Sequence, residues 1–146
     1  NYKSFVFSNT IVQRSVLDEV GIFDEDLKHY GGEDTELAIR VYEKFPKGLR
    51  KIKAESTHVT NKELDQYLLG MFDYGRFNFP NIIKKHPNYK NDLGYQYVHS
   101  FFGKIIFNQI SRTFVIFLLK IIKHPVLIKF LVINSFIKGA RQGLNQ

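Results

Sequence analysis

The hydrophobic pattern of residues 1–60 predicts short strands separated by short helices. Residues 3–13 are rich in aromatic and β-branched types and predict a strand, or two strands meeting at Ser8 and Asn9. Residues 14–20 predict a short helix that Gly21 ends. Residues 49–59 mix Lys, Ile, Ala and Val and predict another short strand, which ends near His58.

Apolar residues recur at helical spacing in the middle of the chain. A helix is predicted to open at Glu33, directly after two glycines, because apolar residues recur every four positions from Leu37 to Phe45. Pro46 is expected to end that helix. A further helix is predicted from residue 64 to the turn at residues 86–88.

From residue 95 onwards the side chains become larger and more apolar. Residues 101–122 predict a helix with a wide apolar face and a narrow polar stripe that includes Lys104, Arg112 and Lys120. The pair at residues 124–125, His and Pro, is expected to break it, and residues 126–138 predict a second apolar helix.

The charge of the chain is unevenly distributed. Lys and Arg number 21 and Asp and Glu 14. Residues 1–92 contain fourteen residues of each sign, whereas residues 93–146 contain seven basic residues and no acidic one. Such an asymmetry indicates an anionic partner for the basic part, either a membrane or a nucleic acid.

Of these two partners, the composition favours a membrane. Nucleic-acid surfaces usually carry denser Lys and Arg, whereas here the cations are diluted among large apolar residues, so no nucleic-acid partner is expected. Three arrangements remain open for the tail: helices lying in the headgroup region, a packed soluble hairpin, or a spanning helix. An Arg near the centre of a spanning segment is costly, so we expect contact with an anionic membrane surface through residues 101–141.

Composition excludes several classes of protein. A hydrophobic content of 44% and an aromatic content of 15% are too high for a disordered chain. The chain has no Cys, which excludes a disulfide scaffold, a thiol enzyme and an iron–sulfur site. It opens with Asn1 rather than Met, so we expect it to be processed or to be a piece of something longer.

Two acids, Glu33 and Asp34, follow the glycine pair and begin the predicted helix. One interpretation is structural, because carboxylates are favoured at helix N-termini. The other is catalytic, because two glycines let the backbone turn sharply and leave room for a ligand beside the acids.

Three stretches of the sequence together resemble the second half of a family 2 glycosyltransferase, an inverting enzyme with the GT-A fold. The resemblance covers roughly residues 4–80. It lies in an Asn-containing strand followed by an Arg, a "GIFDE" loop, and a "GGED" turn that leads into the helix "ELAIRVYEK".

The resemblance implies roles for four of these residues. Asp34 maps onto the base that removes the acceptor hydroxyl proton, and Glu33 would either shape the same acceptor site or hold Asp34 in place. Asn9 and Arg14 map onto the substrate cleft, although a strand-edge amide and a surface cation are equally good interpretations. Asp24, in the acidic loop, is expected to brace that loop rather than react.

The resemblance also implies a divalent cation, Mg²⁺ or Mn²⁺, to neutralise the leaving nucleoside diphosphate. His58 maps onto a third metal ligand in some members, and the main ligands are expected in a donor-binding half preceding residue 1. This chain alone is therefore expected to be inactive.

The predicted fold is α+β and predominantly helical: the C-terminal part of a GT-A domain (residues 1–90) followed by a helical extension (residues 91–146). The predicted function is metal-dependent inverting transfer of a sugar from a nucleotide-sugar donor to a glycan or lipid-linked acceptor, in surface polysaccharide synthesis. The expected location is the cytoplasmic face of the cell membrane, as a peripheral or monotopic protein. The alternative is a non-catalytic membrane-docking or partner-binding helical module.

Overall fold

The chain is predominantly helical, as predicted. The computed structural model describes residues 2–5, 9–50, 52–53, 55, 57, 59 and 62–145. Its α-helices are α1 (Arg14–Val20), α2 (Glu33–Lys44), α3 (Leu64–Asp73), α4 (Phe79–Lys85), α5 (Tyr95–His99), α6 (Phe101–Ile106), α7 (Gln109–Ile121) and α8 (Pro125–Gly143). A π-helical segment, Tyr74–Asn78, joins α3 to α4 without a break.

The predicted strands are not seen in the described residues. Tyr2–Ser4 forms a 3-10 helix, residues 10–13 have no regular structure, and neither do the described parts of residues 49–59. A single strand needs a neighbour to pair its backbone groups, and within the described ranges the chain offers none. The composition of these segments therefore suits a strand, but the described residues supply no neighbouring strand to pair with it.

The chain divides into two compact units. Unit 1 comprises Asn1–Lys28 and Gly32–Asn61, and unit 2 comprises His29–Gly31 and Lys62–Gln146. Unit 2 continues across residue 90, where the sequence predicted a domain boundary. That boundary is not tested by this division and stays a prediction.

Unit 1 is built on α2. This helix buries one apolar face, and Leu37, Ala38, Ile39 and Val41 are almost fully buried. The ring of Tyr2 is also buried, and its centre lies 5.7 Å from that of Tyr42. Helix α1 ends where predicted, because Gly21 adopts a positive φ and donates its N–H to Leu17.

Unit 2 is held by direct contact between helix backbones. A Cβ added at Gly75 would lie 2.2 Å from the carbonyl oxygen of Phe136, and one added at Gly139 would lie 2.0 Å from that of Phe72. Only glycine permits such a close approach. Helix α8 therefore packs tightly against α3 and the π-helical segment.

Two apolar clusters flank this contact. The first joins α3, α7 and α8 through Leu68, Val115 and Leu131. The second joins α4, α5 and α8 through Phe79, Val98 and Ala140. The second apolar helix of the tail, predicted over residues 126–138, is thus confirmed as α8 and contributes to both clusters.

The predicted helix over residues 101–122 is wrong in one respect: it is two helices, α6 and α7. Asn108 separates them, because its side chain accepts a hydrogen bond from Ser111 N–H while the Ser111 hydroxyl accepts one from Asn108 N–H. This capping box starts a new helix at Gln109. Among the described helices, none is both long enough and apolar enough to cross a bilayer.

Candidate active site

The acid pair begins α2, directly after a left-handed turn. Gly31 and Gly32 have φ angles of +80° and +95°, a backbone conformation that side chains with a Cβ rarely adopt. The carbonyl of Gly32 accepts the N–H of Glu36 and so closes the first helical turn. The sharp turn predicted from the two glycines is confirmed.

Both acids are partly buried at this helix N-terminus. The Oε2 atom of Glu33 is buried and has no hydrogen-bond partner among the described residues. Asp34 is half-buried and has a partner of its own. The free N–H groups and the dipole of the helix favour negative charge at both positions. The arrangement offers carboxylate oxygens able to accept a proton or a hydrogen bond from a hydroxyl group.

A buried ion pair fixes the first turns of α2. Glu36 is 2% exposed, and both of its carboxylate oxygens accept the Nε–H of Arg40, at 2.8 and 3.0 Å. Arg40 also donates to the carbonyl oxygens of Val20 and Ile22, the latter at 2.6 Å. One guanidinium thus ties α2 to the chain that leaves α1, and it holds the helix that carries the acids.

The turn before the acids is held within unit 2. Asn78, in the π-helical segment, is fully buried, and its Nδ2 donates to the carbonyl oxygens of His29 at 2.7 Å and Gly31 at 2.8 Å. The His29 ring stacks on Phe77 with 3.9 Å between ring centres. These contacts hold the backbone up to the residue that precedes Gly32.

The other predicted site residues are placed as follows. Arg14 is exposed and pairs with Asp18 at 2.9 Å on the surface of α1. Asn9 is exposed and precedes that helix. Their roles in substrate binding stay predictions. His58, the predicted metal ligand, lies outside the described residues.

The described part of the chain does not assemble a metal site. It contains no group of three or more His, Cys, Asp or Glu side chains that could hold an ion. The described residues therefore do not by themselves fit the expected Mg²⁺ or Mn²⁺, and the cation stays a prediction.

Asp24 braces its loop as predicted, since its Oδ1 accepts the N–H of Asp26 at 3.1 Å.

Sequence reasoning missed three residues: Glu36 and Arg40, which fix the first turns of α2, and Asn78, which holds the backbone of residues 29–31. Glu36 and Arg40 have the four-residue spacing of a helical ion pair, a signal that could have identified them. Asn78 gave no signal, because its partners lie 47 and 49 positions earlier in the chain.

No family model, curated protein or solved structure matches this chain. The likeness to family 2 glycosyltransferases therefore rests on the motifs in residues 4–80.

Proposed function

We propose that this chain is the acceptor-side part of an inverting glycosyltransferase of the GT-A type, with Asp34 as the catalytic base. The observation that carries the proposal is the acid pair itself. Two consecutive carboxylates stand on a helix N-terminus reached through two left-handed glycines, and one of their oxygens is buried without a partner among the described residues.

In the proposed reaction, an acceptor hydroxyl oxygen attacks the anomeric carbon of a nucleotide sugar from the face opposite the leaving group. The hydroxyl proton passes to an Asp34 carboxylate oxygen. The bond between the anomeric carbon and the phosphate oxygen breaks, and its electron pair leaves with the nucleoside diphosphate. The proton is then released to solvent, and the anomeric configuration is inverted.

The chain's own residues supply the base and its placement. A general base must lie within hydrogen-bond reach of the proton it removes. The Glu36–Arg40 pair fixes the helix that carries Asp34, and Glu33 supplies a second acceptor for a sugar hydroxyl. The donor-binding half and the main metal ligands lie outside this chain in the proposal, so no step is assigned to the cation.

The test compares two acids that each lie in the first turn of a helix, Asp34 half-buried and Asp65 exposed. Asp34→Asn removes a first-turn acid from α2, and the matched control Asp65→Asn removes a first-turn acid from α3. The variants are made in the full-length protein that contains this chain, and release of nucleoside diphosphate is followed with a panel of nucleotide sugars. General-base catalysis contributes about 100- to 10,000-fold.

We expect Asp34→Asn to lower kcat by about that factor while the protein stays folded, with a stability loss of no more than about 1 kcal/mol from the missing first-turn charge. The Asp65→Asn control should keep full activity. Equal activity of the two variants would contradict the proposal, because Asp34 would then act as a helix-terminal charge like Asp65.

A second candidate is a non-catalytic membrane-docking or partner-binding module, in which Glu33 and Asp34 act as first-turn charges. The observation that favours it is the set of large apolar side chains exposed on α6 and α7. Under this alternative, both asparagine variants behave alike, and no nucleotide sugar is consumed by the wild-type protein.

A further inference from the structure

Exposed apolar side chains are concentrated on α6. Phe101 and Phe102 are 72% and 73% exposed, and Ile105 and Ile106 are also exposed. The buried residue of this helix is Gly103, where an added Cβ would lie 1.9 Å from the carbonyl oxygen of Tyr97. Helix α6 therefore packs against α5 through Gly103, and its large apolar side chains are exposed.

Helix α7 continues this pattern with one exposed apolar stripe. Ile110, Phe114, Phe117 and Ile121 are exposed and recur at the spacing of a single helix face. The opposite side of α7 packs through Val115 into the cluster with α3 and α8. We call the exposed apolar residues of α6 and α7 the outer face: Phe101, Phe102, Ile105, Ile106, Ile110, Phe114, Phe117 and Ile121.

The charged side chains of residues 93–146 are all of one sign. Two of the tail's seven basic residues make internal contacts, since Arg112 donates to the Ser135 hydroxyl at 2.8 Å and Arg141 donates to the carbonyl oxygens of Val98 and Phe107. Burial also lowers the pKa of Arg141. The remaining five are exposed lysines: Lys104, Lys120, Lys123, Lys129 and Lys138.

We infer that the outer face docks on an anionic lipid bilayer. Its aromatic and aliphatic side chains enter the boundary between headgroups and acyl chains, and the exposed lysines lie at the level of the lipid phosphates and carboxylates. The charge pattern argues against a second copy of this chain as the occupant, because two such faces would bring lysines together with no acid from residues 93–146. The inference does not depend on the proposed glycosyltransferase function.

The first test measures co-sedimentation of the full chain with lipid vesicles. Vesicles of phosphatidylcholine with about one third phosphatidylserine should bind the chain, and vesicles of phosphatidylcholine alone should bind it more weakly. Phe114→Ser with Phe117→Ser should weaken binding at least tenfold, because both side chains lose apolar area. The matched control is Ile22→Ser with Leu69→Ser, two residues of similar exposure outside the outer face.

A second pair of variants tests the electrostatic part. Lys120→Gln with Lys123→Gln should weaken binding to the anionic vesicles by about tenfold to thirtyfold and should leave binding to neutral vesicles unchanged. Lys47→Gln with Lys84→Gln lowers the net charge equally, and it should leave both unchanged because these exposed lysines lie on other parts of the chain.

The absence of Trp from the sequence permits a direct measure of insertion. Phe117→Trp places a single indole on the outer face, and Leu69→Trp places one on an exposed position of α3. With anionic vesicles, the emission of the first variant should shift to the blue and be quenched by brominated acyl chains. The second should show neither effect.

Three outcomes would overturn the inference. They are failure of the wild-type chain to bind anionic vesicles, equal losses in the serine variants of the outer face and their control, and equal quenching of the two indoles. A concentration-dependent dimer in sedimentation equilibrium that Phe114→Ser with Phe117→Ser abolishes, without vesicle binding, would assign the outer face to self-association instead. Loss of nucleotide-sugar turnover in Asp34→Asn bears on none of these results.

Discussion

Asn78→Asp tests whether the π-helical segment holds the turn before the acid pair. The substitution keeps the size and shape of the side chain but replaces the amide that donates to the carbonyl oxygens of His29 and Gly31. An ionised carboxylate would face two acceptors in a site that is fully buried. Asn81→Asp, the same change at an exposed position of α4, is the matched control.

The expected magnitude follows from these contacts. Each lost hydrogen bond costs about 1 kcal/mol of unfolding free energy. An uncompensated buried charge raises the total to about 3–5 kcal/mol at neutral pH. The exposed control should change the unfolding free energy by less than about 0.5 kcal/mol.

The cost of Asn78→Asp should depend on pH. Burial and the two carbonyl oxygens disfavour the ionised form, so the introduced carboxyl should have a folded-state pKa above its unfolded value of about 3.9. The folded state then binds more protons than the unfolded state. The penalty should therefore be smallest below about pH 4 and grow as pH rises, by up to about 1.4 kcal/mol per unit, until the folded pKa is passed.

The assay is urea denaturation followed by circular dichroism from about pH 4 to about pH 7, with the difference between Asn78→Asp and Asn81→Asp plotted against pH. Amide hydrogen exchange should also show faster exchange at residues 29–32 in Asn78→Asp. A flat difference within about 0.5 kcal/mol of zero, together with unchanged exchange at those residues, would refute the reasoning.

Two further substitutions test the packing of each unit. Arg40→Met should cost about 3–5 kcal/mol in urea denaturation, because it removes the guanidinium that pairs with the buried Glu36 carboxylate. The double variant with Glu36→Gln should recover part of that loss, and additive losses would contradict the coupling. Gly139→Ala should cost about 3 kcal/mol, since its Cβ would lie 2.0 Å from a carbonyl oxygen. In thermal unfolding, Lys138→Ala, on the exposed side of the same helix, should leave the melting temperature nearly unchanged, and equal melting temperatures of the two variants would contradict the backbone contact.

The helices with strong local signals could be predicted from the sequence. Helix α1 ends at Gly21, and α2 begins at Glu33 and ends before Pro46, because capping and backbone geometry act over neighbouring residues. The break before α8 at Pro125 has the same local origin. The acid pair and the glycine turn were found for this reason too.

The remaining features depend on distant partners. Residues 3–13 have strand-forming composition, but a strand also needs a neighbour that the described residues do not supply. The hydrogen bonds of Asn78 join positions far apart in the chain, which no local pattern reveals. The charge count of the tail likewise could not show that Arg112 and Arg141 are used inside the fold.

Unit 2 contains a three-residue piece taken from far upstream, His29–Gly31. Tyr30 of that piece covers Gly70 so closely that an added Cβ there would lie 2.8 Å from its ring. A version of the chain trimmed to residues 62–146 would keep every helix of the unit but would lack residues 29–31. Gly70 would lose the ring that covers it, and the Asn78 amide would lose both acceptors, so the smallest self-sufficient piece of this protein is longer than its helical boundaries suggest.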